Sequence, residues 1–364
     1  MREGWCEIKL AQCVNNITKF YEIKTTNYEM AGNYPIVSQS EDLIAGYTDD
    51  DKFVIHLEKP VIVFGDHTRI IKFVDFDFCV GADGVKILSS KDFMSPKYLF
   101  HFLQYKKVPS LGYSRHYKLL KEIDVIYPKS LSIQSNISDE LDMITEMISK
   151  YDEQLKELDK LSQSIFYEMF GDPLENEKGW EVKKIVEIAD ATIGLTYKPE
   201  NVADNGVIVL RSGNIQNSEL DFTDILRVET NIPSHKYVKD GDILMCTRNG
   251  SLRHVGKVAI IKNLNEQMTY GAFMTVIRSE MNPYLYGYFN TPAFRDSLIH
   301  GKTTTINQIT VKMLNETSLP IPPLPLQQSF ARKIEAIEAM KSKVREAKKE
   351  AETLLAARMQ YWFE

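Results

Sequence analysis

The chain has 364 residues, 43% of them hydrophobic, which is enough to fill the cores of two domains of ordinary size. A formal net charge of −6 excludes a uniformly basic nucleic-acid binder. Four cysteines (Cys6, Cys13, Cys79, Cys246), with no CxxC pair and no histidine at zinc-finger spacing, signal neither a disulfide framework nor a structural zinc site.

The start, MREGWCEIKLAQC, has no apolar core of signal-peptide length, and no stretch approaches about 18 apolar residues without charge. The expectation is a soluble, cytoplasmic protein with buried thiols. Its charge is unevenly distributed. Lys+Arg against Asp+Glu stand at 16 to 17 over 1–128, 4 to 11 over 129–175, 16 to 16 over 176–322 and 8 to 6 over 323–364. Acid is concentrated in one short segment, so each large segment can still carry a basic face.

In chain order, the first large segment opens with GWCEIKLAQC at Trp5 and continues with KPVIVFGDHTRIIKFVDFDFCVGADGVKIL. That run alternates strand-like stretches (Val61–Phe64, Ile70–Phe73, Val85–Leu88) with Gly-Asp and Asp-Gly turns. SPKYLFHFLQY then predicts a short amphipathic helix, and GYSRHYKLLKEIDVIYP a loop leading to a Pro-marked strand. From Ile137 to Met169, positions 137, 141, 144, 148, 151, 155, 158, 162, 165 and 169 form a 4-3 repeat broken only by Ser162, which is a coiled-coil seam. GDP after Phe170 stops that helix.

The second large segment repeats the plan. GWEVKKIVEI at Trp180 matches the first opening at an offset of 175, and the strand-and-turn runs GVIVLRSGNIQN and VKDGDILMCTRNGSLRHVGKVAIIKN follow. NPYLYGYFNTPAFRDSL predicts helix, and GKTTTINQITVKMLNETSLPIP the closing loop and strand. After IPPLPLQQ comes a second seam of Phe330, Ile334, Ile337, Val344, Ala351, Leu355 and Trp362, interrupted by Lys341, Lys348 and Arg358. SIFYEMFGDP at Ser164 and ARMQYWFE at the end align at an offset of 193, which also places Gln134 on Gln327, Leu141 on Ile334 and Phe170 on Phe363. The two offsets differ by 18 residues, the extra length of the second copy. Each helix has one apolar stripe, one helix acidic and the other mildly basic, so the simplest burial pairs them antiparallel. A helix of ~36 residues is ~54 Å long, which would make the pair a rigid rod with a module at each end.

Catalytic motifs fail on inspection. GKTTT at 301–305 would need Gly at 296 for a phosphate loop, and Asp296 stands there. NPYLY at Asn282 lacks the second proline of an amino-methyltransferase motif and no glycine-rich cofactor loop precedes it, so it reads as a helix start. Glu-x-Lys triplets at Glu7, Glu22 and Glu181 read as chance in a charge-rich chain. His67 beside Asp66 reads as a turn or a DNA contact before an acid-base or metal pair. The expectation is a binding protein, not an enzyme, with no cofactor or metal of its own.

FGDHTRIIKF with GADGVKIL, the paired RSGNIQN and GDILMCTRNG, and FYEMFGDP closing a central helix resemble the specificity (S) subunit of Type I restriction-modification systems, over nearly the whole chain and including the half-repeat. The resemblance implies an α+β fold: two pseudo-symmetric α/β target recognition domains (1–128 and 176–322) separated by two long antiparallel coiled-coil helices (within 129–175 and 323–364). It implies that each domain reads one half of a split site in double-stranded DNA. The helices would set the spacer and bind methyltransferase (M) subunits, and restriction (R) subunits would join that core. S-adenosylmethionine, ATP and Mg would be bound by those partners. A Type IIB-like specificity subunit and a coiled-coil adaptor that binds proteins alone are the other readings.

Bases are read by Arg and Lys at guanine and by Asn and Gln at adenine, from loops that can enter a groove. Such loops in the first module offer Ser38, Gln39, His67, Arg69, Arg115, His116, Tyr117 and Lys118. Those in the second offer Arg211, Ser212, Asn214, Arg248, Asn249, Arg253, His254, Lys302, Thr303 and Thr304. For each, a phosphate contact or plain solvation stands beside base readout.

Overall fold

A computed structural model of the chain describes residues 2–18, 20–81, 84–110, 112, 114–299 and 308–364. The chain divides into two compact units, Met1–Glu153 with Arg345–Glu364, and Gln154–Val344. This division passes through both long helices and not at their ends, because part of each helix packs on each module.

In the first unit the module's two ends close on each other, Trp5–Lys9 pairing antiparallel with Asp124–Pro128. A short helix, Leu10–Cys13, leads into an antiparallel sheet in the order Val14–Ile17, Val85–Ser90, Val61–Gly65, Ile71–Val74. A second sheet holds Glu22–Ile23, Phe78–Gly81, Tyr34–Val37 and Gly46–Thr48, with Val54–Ile55 also on Phe78–Gly81. The helix Pro96–Tyr105 covers the first sheet, burying Tyr98, Leu99 and Phe102 against Leu10, Phe64 and Leu88. It starts where the sequence marks a start. Ser95 caps it by accepting from the Tyr98 N–H, and Pro96 takes a first-turn position where no N–H is needed.

The second unit repeats this scaffold: Val182–Lys184 with Ser318–Pro320, the short helix Ile185–Ile188, and a sheet in the order Asp190–Ile193, Met274–Arg278, Ile243–Cys246, Val258–Ile260. The helix Asn282–Phe289 takes the place of Pro96–Tyr105. Single hydrogen bonds recur. Tyr98 Oη donates to the Ile126 carbonyl at 2.7 Å and Tyr284 Oη to that of Pro320 at 2.6 Å; Leu10 N donates to Ile123 O and Ile185 N to Thr317 O, both at 2.9 Å. Part of the extra length of the second copy lies in the connection from Cys246 to Val258, which is longer than that from Gly65 to Ile71. Among the described residues no helix is long and apolar enough to cross a membrane.

The central helix spans Leu131–Phe170 and the C-terminal helix Leu324–Phe363. Every position of both 4-3 series is buried or half-buried. The three cations that interrupt the second series meet the acid of the first. In the first unit Arg358 pairs with Glu140, which also accepts from Trp362 Nε1 at 3.0 Å, and Lys348 pairs with Asp152 at 2.7 Å. In the second unit Lys341 lies 2.6 Å from Asp159 and 2.9 Å from Glu338. Within each unit, rising numbers on one helix meet falling numbers on the other, so the segments run antiparallel.

The Arg358 guanidinium, through its hydrogen bond, holds the Glu140 carboxyl below the usual carboxylate range, and burial opposes it less strongly. A depressed folded-state value contributes stability above the ordinary carboxylate range that is lost as pH falls through the folded value. Acid unfolding of the wild type is therefore expected to be steeper below about pH 4.5 than that of Glu140→Gln, which is checked by urea midpoints measured across pH.

The repeated sequence ends also have a structural role. In the first unit Phe363 packs its ring on Tyr98, Phe102 and Tyr105 at 5.5, 5.4 and 5.8 Å, and Trp362 stacks on Trp5. In the second, Phe170 packs on Tyr284, Phe330 and Trp180. Each module is thus sealed by the helix end that belongs to the other copy of the repeat. The matched glutamines act alike. Gln134 donates to Pro128 O and accepts from the N–H of Ser95, the residue that caps the module helix, while Gln327 donates to Pro322 O beside Met281.

Gly287 sits where a Cβ would come 2.7 Å from a Phe330 ring atom and 2.9 Å from one of Phe166. Gly287→Ala is expected to cost about 1–3 kcal/mol by overpacking that aromatic cluster, read as a lower thermal midpoint. An unchanged midpoint would mean the cluster is looser than this geometry.

Candidate nucleic-acid interface

In the first module three loops meet at one end of the Val61–Gly65 and Ile71–Val74 hairpin. Asp66, 2% exposed, ties them together. Its carboxylate accepts from Tyr117 N at 2.7 Å, its carbonyl from His116 N at 2.9 Å, and its N–H donates to Gly84 O at 2.7 Å. Gln39 joins from the third loop: its side chain accepts from His67 N at 3.3 Å and its carbonyl from Thr68 Oγ1 at 2.8 Å. Gly65 is required here, because a Cβ would stand 2.3 Å from Thr68 Oγ1 and 2.8 Å from Gln39 Cβ. Below them Lys72, 5% exposed, donates to Ser38 O at 2.8 Å and to Asp42 O, and burial lowers its ammonium pKa.

On this frame Arg69, Arg115 and Lys118 are exposed and His67 half-buried. Arg69 has φ 63 and donates to Val108 O at 3.2 Å. Tyr117 is half-buried, its hydroxyl on Asn16 Oδ1 and its ring 6.0 Å from Lys86 Nζ and 5.4 Å from Lys121 Nζ. Burial raises its phenol pKa.

The second module builds the same frame from other residues. Thr247 stands where Asp66 does: its N–H donates to Phe273 O at 3.0 Å and its carbonyl accepts from Ile309 N at 2.8 Å. Asn249 Nδ2 donates to Ser212 Oγ at 3.0 Å, linking the two loops that Gln39 and His67 link in the first module. Asn249 Oδ1 accepts from Ser251 N at 2.9 Å, which shapes its own turn. Arg211 is held by Asp224 at 2.8 Å. Arg248 and Arg253 are exposed and His254 half-buried. Lys302, Thr303 and Thr304 lie outside the described residues.

Three residues expected at loop tips are inside instead. His116 is 0% exposed with Nδ1 3.0 Å from Asp66 O, Asn214 is 2% exposed with its amide on Asp221 O and Asp224 O, and Ser38 is 7% exposed with its hydroxyl on Ser40 Oγ. They hold loops in shape, because a polar side chain that close-packed backbone surrounds must bond locally. The fold also brings Phe273, Lys86, Lys121 and Asn16 to the loops; none of them is a candidate from residue type and loop position alone, Lys86 lying in the strand-like run Val85–Leu88. Among the described residues no group of three or more His, Cys, Asp or Glu is placed to hold a metal ion.

Two like modules, each offering basic and amide side chains on three cross-tied loops, define a paired recognition scaffold. The chain belongs to the family described as Type I restriction modification DNA specificity domain, which it matches over residues 2–159 and 177–352. It is 28% identical over 173 residues to the Type I restriction enzyme EcoKI specificity subunit of Escherichia coli (strain K12), a match covering 44% of this chain and only 37% of that protein. With the EcoR124I/EcoR124II specificity subunit of Escherichia coli it shares 25% identity over 369 residues, 92% of this chain and 87% of that one.

Among solved structures, the S subunit of the Type I restriction-modification system from M. genitalium superposes with a TM-score of 0.61 at 13% identity, covering 99% of this chain and 96% of that chain. A chain solved in work on complex assembly and conformational transition of the type I R-M system gives 0.54 at 17% identity, covering 100% and 98%. These likenesses establish the fold: two recognition domains and two long helices.

Proposed function

We propose that this chain reads a bipartite site in double-stranded DNA, one half with each module, and scaffolds methyltransferase and restriction subunits that carry the chemistry, in the cytoplasm. S-adenosylmethionine, ATP and Mg would be bound by those partners. The observation that carries this reading is the three-loop frame built twice from different residues. In the first module Asp66 and Gln39 lock the loops, in the second Thr247 and the Asn249–Ser212 bond do, and the exposed tips differ in each. A shared frame with unlike tips is what two readers of unlike half-sites require, since phosphate contacts position and base contacts specify.

The test is methylation mapping by single-molecule sequencing of DNA from cells carrying this gene with its neighbouring methyltransferase gene. A split adenine-methylated motif is expected, one half changing when residues 5–128 are exchanged for those of a relative and the other when 180–322 are. Methylation that appears without any split motif, or a motif indifferent to both exchanges, would count against the proposal.

A further inference from the structure

We propose that Arg248, stacked on Phe273, reads a guanine in the half-site of the second module; this rests on the DNA-reading role proposed above. The Arg248 guanidinium carbon lies 5.2 Å from the centre of the Phe273 ring, and Phe273 is 57% exposed. A large aromatic left so open at a loop tip is matched by an unusually well-fixed backbone. The Phe273 carbonyl accepts from Thr247 N at 3.0 Å, Arg248 N at 3.1 Å and Thr247 Oγ1 at 3.1 Å. On the other side Ile309 N donates to Thr247 O, and Arg248 makes an antiparallel bridge with Gln308.

Three other arginines of this unit are engaged by carboxylates: Arg211 with Asp224, Arg227 with Glu266, Arg278 with Asp242. The Arg248 guanidinium lies over the ring and among the described residues no acceptor takes up its donor edge, and this contact reduces the rotamer freedom an arginine otherwise loses on binding. A planar fork with two parallel donors fits the O6 and N7 acceptors of guanine and is opposed by the N6 donor of adenine. Phe273 is therefore a positioning residue and Arg248 the contact.

Arg248→Ala, Arg248→Lys and Phe273→Leu change exposed side chains, and each is tested in the complex with the methyltransferase subunit after its assembly is verified. In methylation mapping, Arg248→Ala is expected to relax one guanine position of the second half-site or lower methylation there about tenfold or more, leaving the first half-site unchanged. Arg248→Lys does not restore it, and Phe273→Leu weakens the same position. With purified complex, replacing that guanine by 7-deazaguanine weakens binding of the wild type about tenfold and leaves Arg248→Ala indifferent.

A wild-type split motif that Arg248→Ala leaves intact overturns the inference alone. So does a uniform loss at all sites with a salt slope reduced by about one, the sign of a phosphate contact. A wild type that directs no split motif removes the DNA-reading proposal and this with it.

Discussion

Phe363→Ala is expected to destabilise the first unit by about 3–5 kcal/mol, although it alters the penultimate residue of the chain. Chain ends usually fray and tolerate change, but this ring is 0% exposed and touches Tyr98, Phe102 and Tyr105, the core face of the module helix. Removing it opens a cavity in that face and releases the last turn of the C-terminal helix. Hydrogen exchange of the amides in Pro96–Tyr105 reads the effect locally, which suits a chain of two units better than one global midpoint. Met143→Ala on the exposed face of the central helix, 67% exposed, is the control and should stay within about 0.5 kcal/mol. A Phe363→Ala effect no larger than the control would mean that the helix end is not docked.

Lys341→Ala should cost about 3 kcal/mol in the second unit, and pairing Lys341→Met with Glu338→Leu should recover most of it. The Lys341 side chain is 4% exposed, Glu338 14% and Asp159 51%. Removing the ammonium alone leaves the Glu338 carboxylate largely dry and without a cation. Removing both charges leaves an apolar contact near Phe330 and Ile334, and half-exposed Asp159 can return to water. Burial lowers the Lys341 pKa, but its hydrogen bonds to Asp159 and Glu338 outweigh burial and raise it above the ordinary 10.5. A raised folded-state value gives stability that persists below 10.5 and is lost only as pH rises through the folded value, so the cost should be constant across neutral pH. Double-mutant analysis of urea unfolding tests this, and a double variant as unstable as the single would refute the pairing argument.

These expectations show what could be read from the chain alone. Seam positions were legible because a helix buries one stripe every 3.6 residues, and the duplication was legible because Gln134 and Gln327, or Phe170 and Phe363, keep one spacing. Antiparallel pairing followed from one acidic and one basic helix with a module between them. Which carboxylate meets Lys341, Lys348 or Arg358 did not follow, since register across two helices depends on packing between distant segments.

At the candidate interface the same boundary holds. Polar and basic residue types between strand-like runs marked connections that the structure brings together in each module, because turn chemistry is local. Whether a side chain in those loops faces outward is not local. His116 and Asn214 carry the residue types of readers but close hydrogen bonds to backbone brought from fifty and from seven to ten residues away, whereas Phe273 carries the residue type of a core and stands exposed under Arg248. The sequence by itself determined the two modules, the two helices, their pairing and the loops that carry the polar groups. Only the tertiary structure decided which of those groups are bonded within the protein and which stand exposed, because that depends on how each loop folds on itself, as at Asn214, and on partners distant in the chain, as at His116.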